Sequence, residues 1–228
     1  EPRRVKTDGA DAALLMKAYG VDLWPWQQGI LDCWLGLDAG GHYSTTSAGL
    51  AVPRQNGKNV CLEAREFFGL VVKRERILHT AHQVVTGKKS FRRLERMFTD
   101  RRFPEIQRLV RYIRYTNGEE AIELENGGSI EFSARSRQRA RGFAGISLVV
   151  YDEAQELTDD QVDAIMPTLS ASSTGQRQII YTGTPPYPGC PGTVFRRRRQ
   201  VCLTDPGPKD AWHEWSVAAE SIQDIHVD

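Results

Sequence analysis

Lys58 and the adjacent pair Asp152-Glu153 are the residues of this chain best placed in sequence to do chemistry. Lys58 lies near the end of Val52-Pro53-Arg54-Gln55-Asn56-Gly57-Lys58-Asn59. A loop of this kind holds phosphate oxygens with main-chain N–H groups and a lysine. The two carboxylates follow the apolar run Ile146-Ser147-Leu148-Val149-Val150-Tyr151, which reads as a buried strand. A nucleoside polyphosphate needs both halves, the loop for its oxygens and the carboxylates for Mg²⁺ and an attacking water. Asp152 is suited to hold Mg²⁺ directly or through water, and Glu153 to polarise the water as general base. The chemistry this implies is hydrolysis of a nucleoside triphosphate.

The loop departs from G-x-x-x-x-G-K-[ST] at both ends. Val52 stands where the first glycine belongs, and Asn59 where a Mg²⁺-binding hydroxyl belongs. An amide oxygen can coordinate the metal, but it is a neutral donor with no hydroxyl proton. The flanking sequence supports the loop. Ala48-Gly49-Leu50-Ala51-Val52 is strand-like, and Val60, Ala64, Phe67, Phe68, Val71 and Val72 fall on one face of a helix. Strand, loop, lysine and helix in that order aim Lys58 and the free N–H groups of the first turn at one point.

The other elements follow from periodicity and turn signals. Helices are expected around 10–19 and 27–37, with Trp24 and Trp26 flanking Pro25. The amide of Gln27 can pair with the N6 and N7 edge of adenine. Residues 76–81 read as a second parallel strand and 83–98 as its crossover helix, with Lys88, Lys89, Arg92 and Arg93 on the side away from its apolar face. His79 and His82 bracket that strand end, suiting structural or phosphate-contact roles better than zinc. Short strands at 112–115, 121–124 and 129–132, separated by Asn117-Gly118 and Asn126-Gly127-Gly128, make an antiparallel insertion. Thr158 and Gln161 suit a capping box, and 178–182 reads as a further core strand ending in Thr182-Gly183-Thr184, where a γ-phosphate could be sensed.

Taken in order, Trp24-Pro25-Trp26-Gln27, the loop Val52 to Lys58, Val149-Val150-Tyr151-Asp152-Glu153-Ala154-Gln155 and Tyr181-Thr182-Gly183-Thr184-Pro185 resemble the large terminase subunits of tailed bacteriophages, ATP-driven motors that package DNA. The resemblance runs from about Trp24 to Pro186. It implies an α/β P-loop NTPase with a central, mainly parallel sheet, an additional catalytic-glutamate strand and a small C-terminal lid. The implied cofactors are ATP and Mg²⁺. Gln27, Pro53, Arg54, Gln55, Asn56, Gly57, Lys58, Asn59, Thr182 and Thr184 would bind nucleotide, with Asp152 and Asn59 at the metal. Glu153 and Arg54 would be catalytic. Arg141, or alternatively Arg139, matches the segment that supplies an arginine finger to a neighbouring subunit. Implied partners are double-stranded DNA, a homo-oligomeric ring on a capsid portal and a small terminase subunit, in the cytoplasm of an infected bacterium.

The 228 residues allow a core of 1–186 carrying an N-terminal adenine-binding segment, then a linker and lid over 187–228, with no nuclease domain and no nuclease activity expected. A net charge of +1 does not announce a nucleic-acid binder, so DNA contact must come from local patches: 73–76, 88–93, 101–102, 135–141 and 196–199. Four cysteines show no zinc spacing, and no segment resembles a signal peptide or membrane span, which suits a reducing cytoplasm. Two rival readings remain at this level, a superfamily-two helicase-like ATPase and a non-hydrolytic nucleotide-binding module.

Overall fold

The computed structural model describes residues 1–135, 145–169, 176–187 and 189–215. Its centre is an eight-stranded sheet built on β3 (Ser47–Ala51), β4 (Arg76–Ala81), β8 (Leu148–Tyr151) and β9 (Gln178–Gly183). At one end are β7 (Ser129–Ala134), β6 (Ala121–Leu124) and β5 (Val110–Arg114), and at the other is β10 (Asp210–Glu214). The order is β10-β3-β9-β8-β4-β7-β6-β5. Every pairing from β10 to β7 is parallel, and only β7-β6 and β6-β5 are antiparallel. The carboxyl ends of six strands therefore share one edge, the edge where open α/β sheets bind ligands. A separate pair, β1 (Lys6–Thr7) with β2 (Gly36–Leu37), is antiparallel.

Alternation along the strands sorts the helices onto two faces. Leu148, Val150, Ile180 and Ile77 point to a core shared with α1 (Gly9–Ala18), α2 (Pro25–Trp34), α3 (Lys58–Val71) and α4 (Val84–Thr99). Val149, Tyr151, Tyr181 and Leu78 point to a second core closed by α6 (Asp159–Leu169) and α7 (Val194–Thr204). A four-residue helix, α5 (Pro104–Gln107), follows α4. All four residues of β8 are buried, as a strand covered on both faces requires.

Several expectations are corrected by this architecture. The helix expected over 27–37 ends at Trp34, and Gly36-Leu37 pairs with Lys6-Thr7 instead. The expected antiparallel insertion is an extension of the main sheet, because β7 pairs in parallel with β4 over six residues. The segment from Tyr187 onward, expected as linker and lid, supplies α7 and β10, and β10 joins the same sheet beside β3. That junction depends on Gly49: a Cβ there would lie 2.0 Å from the Trp212 ring. Of the capping box, one half forms, with Thr158 N donating to Gln161 Oε1 at 3.3 Å.

His79 is 1% exposed, and its Nδ1 lies 2.6 Å from Glu66 Oε1 of α3. It is a core partner of the helix that follows the loop rather than a phosphate contact at a strand end, whereas His82 is exposed. The same helix carries Arg65, fully buried, which donates to both carboxylate oxygens of Glu75 at 2.6 and 3.0 Å and to Gln178 Oε1 at 2.9 Å. These bonds tie α3 to the residue preceding β4 and to the start of β9.

Candidate nucleotide site

The loop after β3 turns sharply. Gln55 and Gly57 take left-handed backbone, with φ 63° and 78°. At Gly57 the space is also closed, because a Cβ would meet Gln27 Nε2 at 2.7 Å. Gly57 caps α3 with no side-chain bond to its first turn, so the amide groups there have no competing side-chain cap. Arg54, Gln55 and Asn56 are exposed and Pro53 is half-buried. Asn56 Nδ2 donates to Arg54 O at 3.1 Å, bracing the turn from within. Val52 N donates to Gly183 O at 3.1 Å, which anchors the loop to the end of β9.

Lys58 reaches across the edge to the end of β8. Its Nζ donates to Asp152 Oδ1 at 2.7 Å and to Asn59 Oδ1 at 3.2 Å. Asp152 Oδ1 also accepts from Thr182 Oγ1 at 3.1 Å and from Glu153 N at 2.9 Å. Burial alone would raise the Asp152 pKa, but the charges of Lys58 and His79 and the hydrogen bonds from Lys58 and the Glu153 amide outweigh it and hold the group at about 2. Thr182, fully buried, thus serves the carboxylate rather than facing the open edge. Thr184 is held through its main chain, its N donating to Gln155 Oε1 at 3.2 Å.

Glu153 is the strained member of the set. Its φ of 54° and ψ of 45° are left-handed, a conformation costing about 1–3 kcal/mol for a residue other than glycine. Among the described residues the side chain is held at one oxygen: Thr86 Oγ1, in the first turn of α4, donates to Oε1 at 3.2 Å, while Oε2 is buried without a partner. A carboxylate oxygen with no donor retains the capacity to accept a hydrogen bond. Thr86 was missed by sequence reasoning, because an ordinary threonine early in a helix carries no signal of what it will touch.

Gln27 is 4% exposed and sits against the loop. Its Nε2 donates to Gly57 O at 3.1 Å and its Oε1 accepts from Trp24 N at 2.8 Å. Trp26 packs on Trp215, beyond β10, with centroids 5.1 Å apart. A cavity of about 470 Å³ adjoins this aromatic pair, with Ala51, Tyr187 and Trp215 in its wall.

Arg139 and Arg141, the finger candidates, lie outside the described residues. Arg135, expected in the same solvated basic loop, is instead buried. The basic run of α7 is largely spent on internal pairs, Arg197 with Asp159, Arg198 with Asp210 and Arg199 with Glu214. Arg93 pairs with Glu63 and Arg102 with Asp100. Lys88, Lys89 and Arg92 of α4 have no ion pair among the described residues.

The fold has counterparts among solved structures. The HK97 bacteriophage large terminase superposes with a TM-score of 0.69 at 16% identity, covering 94% of this chain and 45% of its own. The ATPase domain of the Thermus phage P74-26 large terminase gives 0.62 at 16% identity, covering 92% and 86%. This is the phage large-terminase ATPase fold. A large terminase from a thermophilic bacteriophage, solved in complex with ADP, gives 0.58 at 11% identity, covering 85% and 46%. The chain thus spans about half the length of the HK97 protein and of this ADP-bound one. No protein-family profile matches the chain, and no curated protein matches it by sequence. No helix among the described residues is long and apolar enough to cross a membrane.

Proposed function

We propose that this chain is the ATP-hydrolysing motor domain of a DNA-packaging machine, driving double-stranded DNA into a viral capsid. The observation that carries the reading is that Asn59 Oδ1 and Asp152 Oδ1 converge on one cationic nitrogen, Lys58 Nζ, at the mouth of a left-handed loop. Those two oxygens are hard donors of the kind Mg²⁺ takes. When bound, Mg²⁺ would neutralise charge on the β- and γ-phosphate oxygens. Asp152 and Asn59 would hold it. Lys58, released from Asp152, would turn to the phosphates that Pro53, Arg54, Gln55, Asn56 and Gly57 surround, with Arg54 also meeting transferring charge. Thr182 and Thr184 would relay the state of the site into β9.

Glu153 Oε2 would accept the proton of the attacking water. Gln27 retains one N–H and one oxygen lone pair after its two bonds, the pair of functions that the N6 and N7 edge of adenine needs. The solved complexes of the thermophilic-phage large terminase with ADP and with ATP-gamma-S support nucleotide binding on this fold. Lys88, Lys89 and Arg92 share α4 with Thr86, so a helix that senses Glu153 also presents cations suited to phosphates of duplex DNA. Arg141, or Arg139, would act on the nucleotide of the next subunit in a homo-oligomeric ring on the portal, with a small terminase subunit as partner, in the cytoplasm of an infected bacterium.

Phosphate release from ATP in Mg²⁺, increased when the protein assembles on duplex DNA, is the expected result. ATP binding without turnover by the assembled protein would instead favour the non-hydrolytic module that Val52 and Asn59 leave open. For the finger, Arg141→Ala subunits mixed with Glu153→Gln subunits should recover activity, because some interfaces then join an intact Glu153 to an intact Arg141. No recovery in rings shown to be mixed would return this loop to DNA contact or plain solvation.

A further inference from the structure

Arg135 follows β7 directly and is 8% exposed, an unusual place for a guanidinium. Among the described residues its hydrogen bonds go to main-chain carbonyls alone: Nη1 donates to Asp152 O at 2.8 Å and Nη2 to Glu153 O at 3.0 Å. Its Nε is buried without a partner among the described residues. Burial lowers its pKa to about 10, against the opposing pull of Asp152 and Glu153. A side chain needed only to fill this space would be apolar, since a buried cation loses its hydration.

The two carbonyls it grips stand on either side of the Glu153 Cα. Their positions are set by the dihedrals of that residue, so a planar fork holding both restrains φ and ψ of Glu153 together. That is where the backbone is left-handed without a glycine. We propose that Arg135 is a positioning residue, clamping the main chain on both sides of Glu153 so that the strained turn persists and the carboxylate stays aimed at the site. The proposal rests on the reading of Glu153 as general base. In sequence, the segment 136–144, which holds Arg139 and Arg141, begins at the next residue.

Arg135→Lys keeps the charge and most of the volume but loses the fork. Turnover of Mg²⁺-ATP is expected to fall about tenfold or more, while affinity for a non-hydrolysable ATP analogue stays within about threefold. In a Glu153→Gln background the same change should cost no further turnover, because a residue acting only through the Glu153 carboxylate has nothing left to position. Independently of activity, hydrogen exchange at the Glu153 amide, held on Asp152 Oδ1, should quicken about tenfold. If Arg135→Lys does not fold, Arg135→Gln carries the same measurements. Unchanged exchange in a folded variant overturns the clamp, whether or not the chain hydrolyses ATP. So do equal losses of turnover in both backgrounds, or a loss of affinity in step with turnover. A parent chain inert towards ATP, with exchange quickened in the variant, would sink the ATPase reading and leave the clamp standing.

Discussion

Lys58 Nζ lies 2.7 Å from Asp152 Oδ1, although 94 positions separate the two residues in the chain. The contact spans the ends of β3 and β8, with β9 between them supplying Thr182 to the same oxygen. One lysine, at the start of the helix that follows the loop, thus neutralises a deeply buried carboxylate.

Lys58→Ala is expected to weaken Mg²⁺-ATP binding by about tenfold or more, because the loop loses its charge-assisted contact to phosphate. Calorimetric titration measures this directly. Undiminished affinity would remove the loop from nucleotide binding.

Glu153→Gln should retain ATP while turnover falls by roughly 10²-fold or more, since the amide cannot take the proton of the water. Single-turnover phosphate release distinguishes this from slow product release. Equal turnover in variant and parent would move the base role elsewhere.

Thr86→Val keeps the shape and removes the donor to Glu153 Oε1. Turnover is expected to fall about tenfold with ATP affinity retained. A variant as fast as the parent would mean that Thr86 does not hold the working pose of the carboxylate.

At Asn59 the question is the metal. Serine is expected to preserve or strengthen Mg²⁺ dependence and alanine to weaken it, as read from the Mg²⁺ concentration for half-maximal turnover. A silent alanine would leave Asn59 as a helix-start residue.

The pH dependence of stability has a definite sign at Asp152. Its folded pKa, about 2, lies below the ordinary 3.8, so the folded state binds the proton less readily than the unfolded one. The stabilisation, roughly 2 kcal/mol, is fully present above pH 4 and is lost as the pH falls from about 4 towards 2. Thermal unfolding across that window should show a steeper acid loss for the parent than for Asp152→Asn. Parallel curves would show that the pair adds no net stability.

The elements of the site were legible because local pattern is a property of a few consecutive residues. The apolar face of 60–71 lies on α3 with Val72 just past its end, the last four residues of the run 146–151 form β8, and 76–81 is β4 residue for residue. Gly57 and the carboxylate pair stand where the pattern puts them, before α3 and after β8. What a side chain touches was not legible. Arg135 looks like one more arginine in a polar run, yet the end of β7 carries it under the turn that holds Glu153. His79 suits a structural or a phosphate-contact role equally in sequence, and its place in β4 directs it to Glu66 on α3. The pairs in α7 hide a basic run that reads as a DNA patch.

Sequence by itself determined which segments become strands and helices, and which residue types stand at their ends, because hydrophobic period and turn chemistry act over one or two turns of chain. Tertiary structure alone decided that β9 would lie between β3 and β8 and β10 outside β3, since strand order depends on which faces can be buried together. That order brings Lys58, Asn59, Asp152 and Thr182 to one point and sets Arg135 behind Glu153. Burial then changes what charge costs: a lysine and an aspartate that would be solvated in an open chain become mutual necessities once water is excluded.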